Sequence, residues 1–375
     1  MSYHGHFEQS KEPKQPKRRG RKVILIILAV LLVLVVGAVS AAAIYYNRMM
    51  NKMNIIELPE DTYVYTEETE TTAATETIDA TEEETTEATT VETTRPPMTA
   101  DDIVNVLVVG QSSRAGEESR MADTTMLVSI NTYDGTVTLF SVLRDSYVKL
   151  PDYKGHVCGR AKFTVCYGLG YTWGGTAGAM EMTNLCIKNN FGIEVDYNVE
   201  VDFDTFRKVI DLLGGVRIEL TQAEADYING LGYEWLKVVE EGENRLFGYE
   251  ALEYARMRKA EGDSDSDIKR TERQRKLLTA LFGKLASKGI TGIRDIAYEI
   301  LPLIKTNMPE EKITECLMDV LPMMVDMTIE SGTCPVQGYY WAEDKETPDG
   351  WASVLCFASG DQKALMMPIT EGYAP

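Results

Sequence analysis

Imidazole is scarce in this chain, with three His in 375 residues, two of them before residue 10. His156 is the one imidazole left for any folded part further along, which argues against a Ser-His-Asp hydrolase. No C-x-x-C spacing occurs among the six cysteines (Cys158, Cys166, Cys186, Cys316, Cys334, Cys356), so neither a zinc site nor a thioredoxin-type pair is expected. Cationic excess is missing too. Lys plus Arg number 38 against 58 Asp plus Glu, a formal balance of −20. A general binder of nucleic acid or anionic lipid needs net positive surface, so no nucleic-acid partner is expected.

The charge that is present is unevenly placed. Residues 1–55 carry +7, residues 56–100 carry −12, and the remainder carries −15. Residues 1–22 read as a basic cytoplasmic tail, too short to fold alone and without a DNA-binding element. From Val23 to Tyr46 there is no charged side chain, and at ~1.5 Å per residue this run can cross ~30 Å of hydrocarbon. It exceeds the ~7–15-residue apolar core of a signal peptide, although Ala41-Ala42-Ala43 would suit a peptidase. An uncleaved single-pass anchor in the cell membrane is expected over 23–46. Seven Lys and Arg between Lys11 and Lys22 keep the N-terminus cytoplasmic and send the rest outside. Residues 47–100, dominated by Thr, Glu, Ala and Asp, cannot bury enough apolar area to offset their ordering entropy. They read as a disordered extracellular stalk.

From Asp101 the texture becomes that of a folded α/β domain, expected over 101–360 with a tail at 361–375. Strands are expected over Ile103–Val109, Thr124–Ile130 and Thr136–Val142, the last two joined through Asp134-Gly135. A helix is expected over about Thr176–Lys188. The strand Tyr197–Phe203 leads into a helix capped by Asp204, which Gly214-Gly215 ends before the strand Val216–Leu220. Helices follow near Tyr249–Arg256, Ile268–Leu285, Ile293–Ile304 and Glu310–Val325, then a hairpin over Thr328–Phe357. This interleaving predicts a three-layer α-β-α domain around a central sheet that the Asp-Gly hairpin makes mixed. Export permits disulfides. The pair singled out is Cys334 with Cys356, bracketing the terminal hairpin; free buried thiols are the alternative.

The chemistry concentrates between Arg256 and Lys276. On a helix from Asp267, residues Asp267, Arg270, Gln274, Leu277, Leu281 and Leu285 share one face. The leucines must pack into a core. Their continuation is carboxylate, guanidinium and carboxamide, whose burial in hydrocarbon is very costly, so that end of the face should open into a cavity. A planar Arg fork grips phosphate oxygens bidentately, and Arg256-x-Arg258 adds a second pair. The bland alternative is a solvated helix laced with salt bridges. Arg144-Asp145 closes the third strand, and Asp123 opens the second, where one carboxylate plus phosphate oxygens and water would suit Mg²⁺.

Together these stretches resemble the LytR-CpsA-Psr family of cell-wall ligases. The matching segments are NVLVVG at 105–110, ADTTMLVSIN at 122–131, VTLFSVLRDSYV at 137–148, DYNVEVDFDTF at 196–206, LFGYEALEYARMRK at 246–259, and D-x-x-R-x-x-R-Q from Asp267 to Gln274. The resemblance implies a phosphotransferase that moves an anionic glycan, teichoic acid or capsular polysaccharide, from undecaprenyl pyrophosphate to a peptidoglycan hydroxyl. It implies that Arg144, Arg256, Arg258, Arg270, Arg273 and Gln274 grip the pyrophosphate. Asp123 would hold Mg²⁺, Asp145 would orient an Arg, and Asp267 would act as base or Arg-orienting group. Departures are Ser112 where the family's G-x-D-x-R has Asp, Met121-Ala122 where R-S precedes D-T, Leu143 for Pro, Ser146 for Thr, and no clean counterpart of Lys-Ile-Asn near Cys158–Phe163. The rivals are a hydrolase of the carrier lipid and a non-catalytic lipid-glycan binding or regulatory protein.

Overall fold

A short edge strand, β1 (Asn54–Ile55), precedes three longer ones that follow the apolar runs: β2 (Ile103–Gln111), β3 (Ala122–Asn131) and β4 (Thr136–Val142). They come from a computed structural model. It describes residues 54–58, 98–99, 102–111, 122–258, 260, 266–288, 292, 295–296, 299–309, 311–313, 315, 327–348 and 350–370. The described residues all fall in one unit, Met53–Pro375. The expected anchor at 23–46, most of the stalk, the loop carrying Ser112, Cys316, and most of the two helices expected over 293–304 and 310–325 lie outside them. Among the described residues no helix is long and apolar enough to cross a membrane.

Gly135, at φ 82°, turns β3 into an antiparallel β4. A small pair, β5 (Tyr147–Lys149) and β6 (Arg160–Lys162), follows. The next element, α1 (Thr164–Phe191), is longer than the expected Thr176–Lys188 because it holds two arms broken at Gly175, where φ is 65°. Glycine is needed again where the arms touch: a Cβ on Gly170 would lie 2.5 Å from the Gly178 carbonyl oxygen. β7 (Tyr197–Asp202) ends in the residue that caps α2 (Phe203–Leu212). The Asp202 carboxylate accepts the Thr205 amide at 2.7 Å, so Asp204, expected as the cap, sits in the first turn instead.

Beyond Gly214-Gly215, β8 (Val216–Leu220) does not join the main sheet. It pairs with β9 (Gly242–Leu246) across α3 (Gln222–Gly230), and α4 (Gly248–Arg256) and α5 (Ser266–Ala286) complete a second core with them. Leu301–Leu303 forms a single 3₁₀ turn before β10 (Lys305–Thr306). The terminal segment corrects the expected hairpin. β11 (Thr328–Cys334) pairs in parallel with all seven residues of β4, satisfying the backbone groups that β4 would otherwise leave open at an edge. The hairpin proper is β12 (Trp341–Thr347) with β13 (Gly350–Cys356). Cys334 and Cys356 therefore end strands of different sheets, and both are free thiols. Residues 361–370, expected as tail, belong to α6 (Ser359–Thr370), where Gln362 and Met366 are fully buried.

The main sheet has the order β1-β10-β7-β2-β3-β4-β11 and is mixed, with β2, β4, β7 and β11 pointing the same way. Phe140 and Val142 on β4 pack with α1 in the larger core. Ser141, on the opposite face, accepts Arg275 of α5 at 2.8 Å. Helices thus flank the sheet on both faces, and the ends of β2 and β4 open between them.

Candidate anion-binding site

At the carboxyl ends of β2 and β4, where ligands of open α/β sheets sit, lies a small, narrow recess. Asp123, Thr124, Arg144, Phe163, Arg270 and Gln274 line it. A larger recess between residues 55–58 and Asn307, Pro309 and Glu311 has no cationic lining and suits no anion.

Helix α5 brings the charge. Leu277 and Leu281 are buried in the second core, which fixes the helix's rotation. One and two turns toward the N-terminus, the same face presents Gln274, Arg270 and Asp267. Asp267 gathers three guanidinium groups: Arg144 Nε at 3.1 Å, Arg270 Nη2 at 3.5 Å and Arg258 Nε at 4.0 Å. Asp145 sits against the same group. Its Oδ1 accepts Lys162 Nζ at 2.8 Å, and its Oδ2 lies 3.5 Å from Arg144 Nε.

The electrostatics follow from this crowding. Burial, the hydrogen bond to Asp145 and that group's charge push the Asp267 carboxyl up, against the pull of Arg270 and Arg144. Burial also pushes Asp145 up, but hydrogen bonds from Lys162 and Asp267 and the charge of Arg144 outweigh it, and it ends below its ordinary value. The two carboxyls therefore form a pair in which Asp267 keeps the proton longer. Arg270 is 3% exposed. Burial weakens its hold on its proton, Asp267 strengthens it, and Arg258 and Arg144 weaken it further. Its Nε has no hydrogen-bond partner among the described residues. A buried guanidinium with an unmet donor beside two further guanidinia is short of negative charge, and a phosphate would supply it.

Not every residue singled out in the sequence comes to the recess. Asp123, Arg144, Asp145, Arg258, Asp267, Arg270 and Gln274 do, either lining it or joined to its lining by ion pairs. Arg273 points inward: its Nε meets Glu224 at 2.7 Å and its Nη1 donates to the Met257 carbonyl at 3.2 Å. Three residues on from Arg270, it faces α3 because the helix has turned by almost a full circle less some 60°. Arg256 pairs with Glu253 at 3.4 Å and stacks 4.9 Å over the Phe203 ring. Ser112 is outside the described residues. Lys162, inside the stretch where no counterpart was apparent, is a cation that the sequence reading missed; its pairing with Tyr147 across β5 and β6 is what sets it beside Asp145.

Asp123 presents the recess's carboxylate, its charge felt by Arg270, with the Thr124 backbone and side chain beside it. No cluster of three or more metal-ligating side chains occurs among the described residues. That donor set does not suit zinc. It does fit a hard cation that takes its other oxygens from phosphate and water.

The profile of the LytR_cpsA_psr family matches residues 62–349. The chain is 33% identical over 208 residues to the polyisoprenyl-teichoic acid–peptidoglycan teichoic acid transferase TagU of Bacillus subtilis, a match covering 55% of this chain and 60% of that protein. It thus spans less than two thirds of that relative's length. It is 28% identical over 254 residues to the regulatory protein MsrR of Staphylococcus aureus, covering 67% and 69% of the two chains. Among solved structures, the YwtF (TagT) protein with bound octaprenyl pyrophosphate lipid superposes with a TM-score of 0.52 at 22% identity, over 75% of this chain and 94% of that one. That likeness concerns the fold.

Proposed function

Because this chain belongs to the LytR_cpsA_psr family, we propose that it is a membrane-anchored phosphotransferase with its folded domain outside the cell. It moves an anionic or capsular glycan from an undecaprenyl-pyrophosphate carrier to a peptidoglycan hydroxyl, forming a phosphodiester. The observation that carries this reading is buried Arg270, which lines the recess with Arg144 and whose Nε has no acceptor among the described residues.

The acceptor oxygen attacks the phosphorus next to the sugar, the bond to the bridging oxygen breaks, and polyprenyl phosphate leaves. Such a transfer needs charge neutralisation and alignment more than covalent help. Arg144, Arg258 and Arg270 hold the phosphate oxygens and stabilise the leaving group. Asp267, hydrogen-bonded to Asp145, takes the proton of the acceptor hydroxyl. Mg²⁺ bound at Asp123 would neutralise further phosphate charge. Ala122, Val142 and Phe163 give the recess an apolar floor continuous with the larger core, a suitable start for a prenyl chain.

Purified full-length protein incubated with a polyprenyl-pyrophosphate glycan, peptidoglycan and Mg²⁺ tests the reading. Glycan-linked peptidoglycan supports it. Free lipid phosphate without linkage makes the protein a hydrolase, and unchanged lipid makes it a binding protein.

Two smaller effects follow from the same geometry. Removing the charge of Asp145 removes part of what raises Asp267, so in Asp145→Asn the acid limb of the transfer rate should move to lower pH. The rate is lost as pH falls through the Asp267 value, and an unmoved limb would assign it to another group. Asp123→Asn should raise the Mg²⁺ concentration needed for half-maximal transfer and weaken Mg²⁺ binding in calorimetry with the pyrophosphate lipid present. An unchanged titration would remove Asp123 from the metal site.

A further inference from the structure

Helices α2 and α4 lie side by side and antiparallel. Phe203 of α2 meets Arg256 of α4 at 4.9 Å, and Arg207 lies 4.4 Å over the ring of Tyr249. The absence of a side chain at Gly248 makes this close approach possible, since a Cβ there would lie 2.6 Å from the Arg207 carbonyl oxygen. Tyr249 continues into the loop after α3. The Trp235 ring is 6.2 Å from it, tilted by 50°, and Tyr233 stacks on Trp235 at 4.8 Å and 8°. Tyr233, Trp235 and Tyr249 are 45%, 59% and 44% exposed. A run of rings therefore follows the surface from the loop to Arg256, about 10 Å at 1.5 Å per helical residue from Tyr249. Two residues beyond Arg256, Arg258 joins the Asp267 cluster.

Single open rings are ordinary at a surface, but three in mutual contact make a patch of the kind that marks an interaction site. The two arginines that stack along the run already have acidic partners, Arg207 with Asp204 and Arg256 with Glu253, Lys237 lies over the Phe247 ring, and Glu234 lies between the two loop aromatics. The surface is therefore not a free cationic strip, and a polyphosphate would gain little from it. What it offers is ring faces flanked by paired charges. The C–H faces of pyranose rings pack on aromatic π faces, and their hydroxyl and acetamido groups bond to the flanking polar side chains.

We propose that Tyr233, Trp235 and Tyr249 form a docking track for the sugar backbone of the acceptor, a peptidoglycan glycan strand, and deliver it along α4 to the anion site. The proposal rests on the phosphotransferase reading and adds where the acceptor lies. An open track suits a strand held in the wall, which must approach the enclosed phosphates from outside.

The test uses full-length protein in detergent and a peptide-free tetrasaccharide of alternating N-acetylglucosamine and N-acetylmuramic acid. Trp235→Ala and Tyr249→Ala should each weaken tetrasaccharide binding about tenfold in calorimetry, as loss of an aromatic anchor does. In the transfer assay KM for the acceptor should rise by the same factor, with kcat and polyprenyl-pyrophosphate affinity unchanged and, in Trp235→Ala, the melting temperature unchanged as well. Unchanged tetrasaccharide affinity in both variants overturns the track and leaves the phosphotransferase reading intact. So does Trp235-dependent binding of a poly(glycerol phosphate) chain in place of the tetrasaccharide. Quenching of Trp235 by brominated lipid in proteoliposomes would make the rings a membrane contact and likewise overturn it. Trp235-dependent tetrasaccharide binding by a protein that transfers nothing would support the track and sink the phosphotransferase reading.

Discussion

Arg270→Ala should lower the transfer rate by roughly 10²–10³-fold, the usual loss when one preorganised donor to a developing negative charge is removed. Its guanidinium is nearly enclosed, so it acts where water screens it little, and its Nε has no acceptor among the described residues. The same change should sharply weaken binding of polyprenyl pyrophosphate, and Arg258→Ala should do so too. Arg258 is more exposed, with 44% of its side chain open to solvent, so its effect should be the smaller of the two. Both variants should fold, because the Asp267 carboxylate keeps Arg144 as a partner at 3.1 Å. Lipid affinity is the measurement that decides. Wild-type affinity in both variants would dissolve the anion site and with it the proposed function.

Arg273→Ala should behave in the opposite way, costing about 3–5 kcal/mol of folding stability while sparing lipid affinity per folded molecule. Glu224 and Arg273 are 7% and 5% exposed, and the Glu224 carboxylate also accepts the Thr221 amide at 3.0 Å in the capping box of α3. Truncating the arginine leaves that carboxylate buried beside Tyr254 without its cation. Burial and the Glu224 charge already push the Tyr254 hydroxyl up, against the pull of Arg273, and loss of the arginine removes that counterweight. Urea unfolding of the variant measures the first half of this expectation, and lipid titration at a temperature where it is folded measures the second. Restoring much of the stability with Glu224→Gln on the same background would show that the buried charge was the cause.

The contrast between these two arginines, three positions apart, marks the limit of what the sequence discloses. Helical period placed Asp267, Arg270 and Gln274 on the leucine face, and they do lie there. Period does not say which neighbour waits on the adjoining face. Arg273 was grouped with its motif, and only the arrival of α3 beside α5 reveals Glu224 as its partner. Lys162 shows the reverse. It stands in a three-residue strand with no pattern of its own, and reaches Asp145 through pairing that spans a long loop. Strands β2, β3 and β4 were legible because turn residues bound each apolar run. β11 was not, because its pattern suits a hairpin arm as well as a sheet edge, and only the open side of β4 decides between them. The Cys334–Cys356 pairing failed with that assignment. The aromatic run was invisible for the same reason as Arg273: its members come from a loop and a helix whose proximity is tertiary.

The residues that hold Arg144 and Asp145 in place come from much further along the sequence. The Leu143 amide donates to the Cys334 carbonyl at 2.8 Å, and the Leu355 amide to that of Asp145 at 2.8 Å. Contacts across so many intervening residues close late, after the loop between them has been gathered. A chain without residues 328–356 would carry Arg144 on an unsupported strand end. The placement of Arg144 and Asp145 thus depends on β11 and β13 as much as on the strand that carries them.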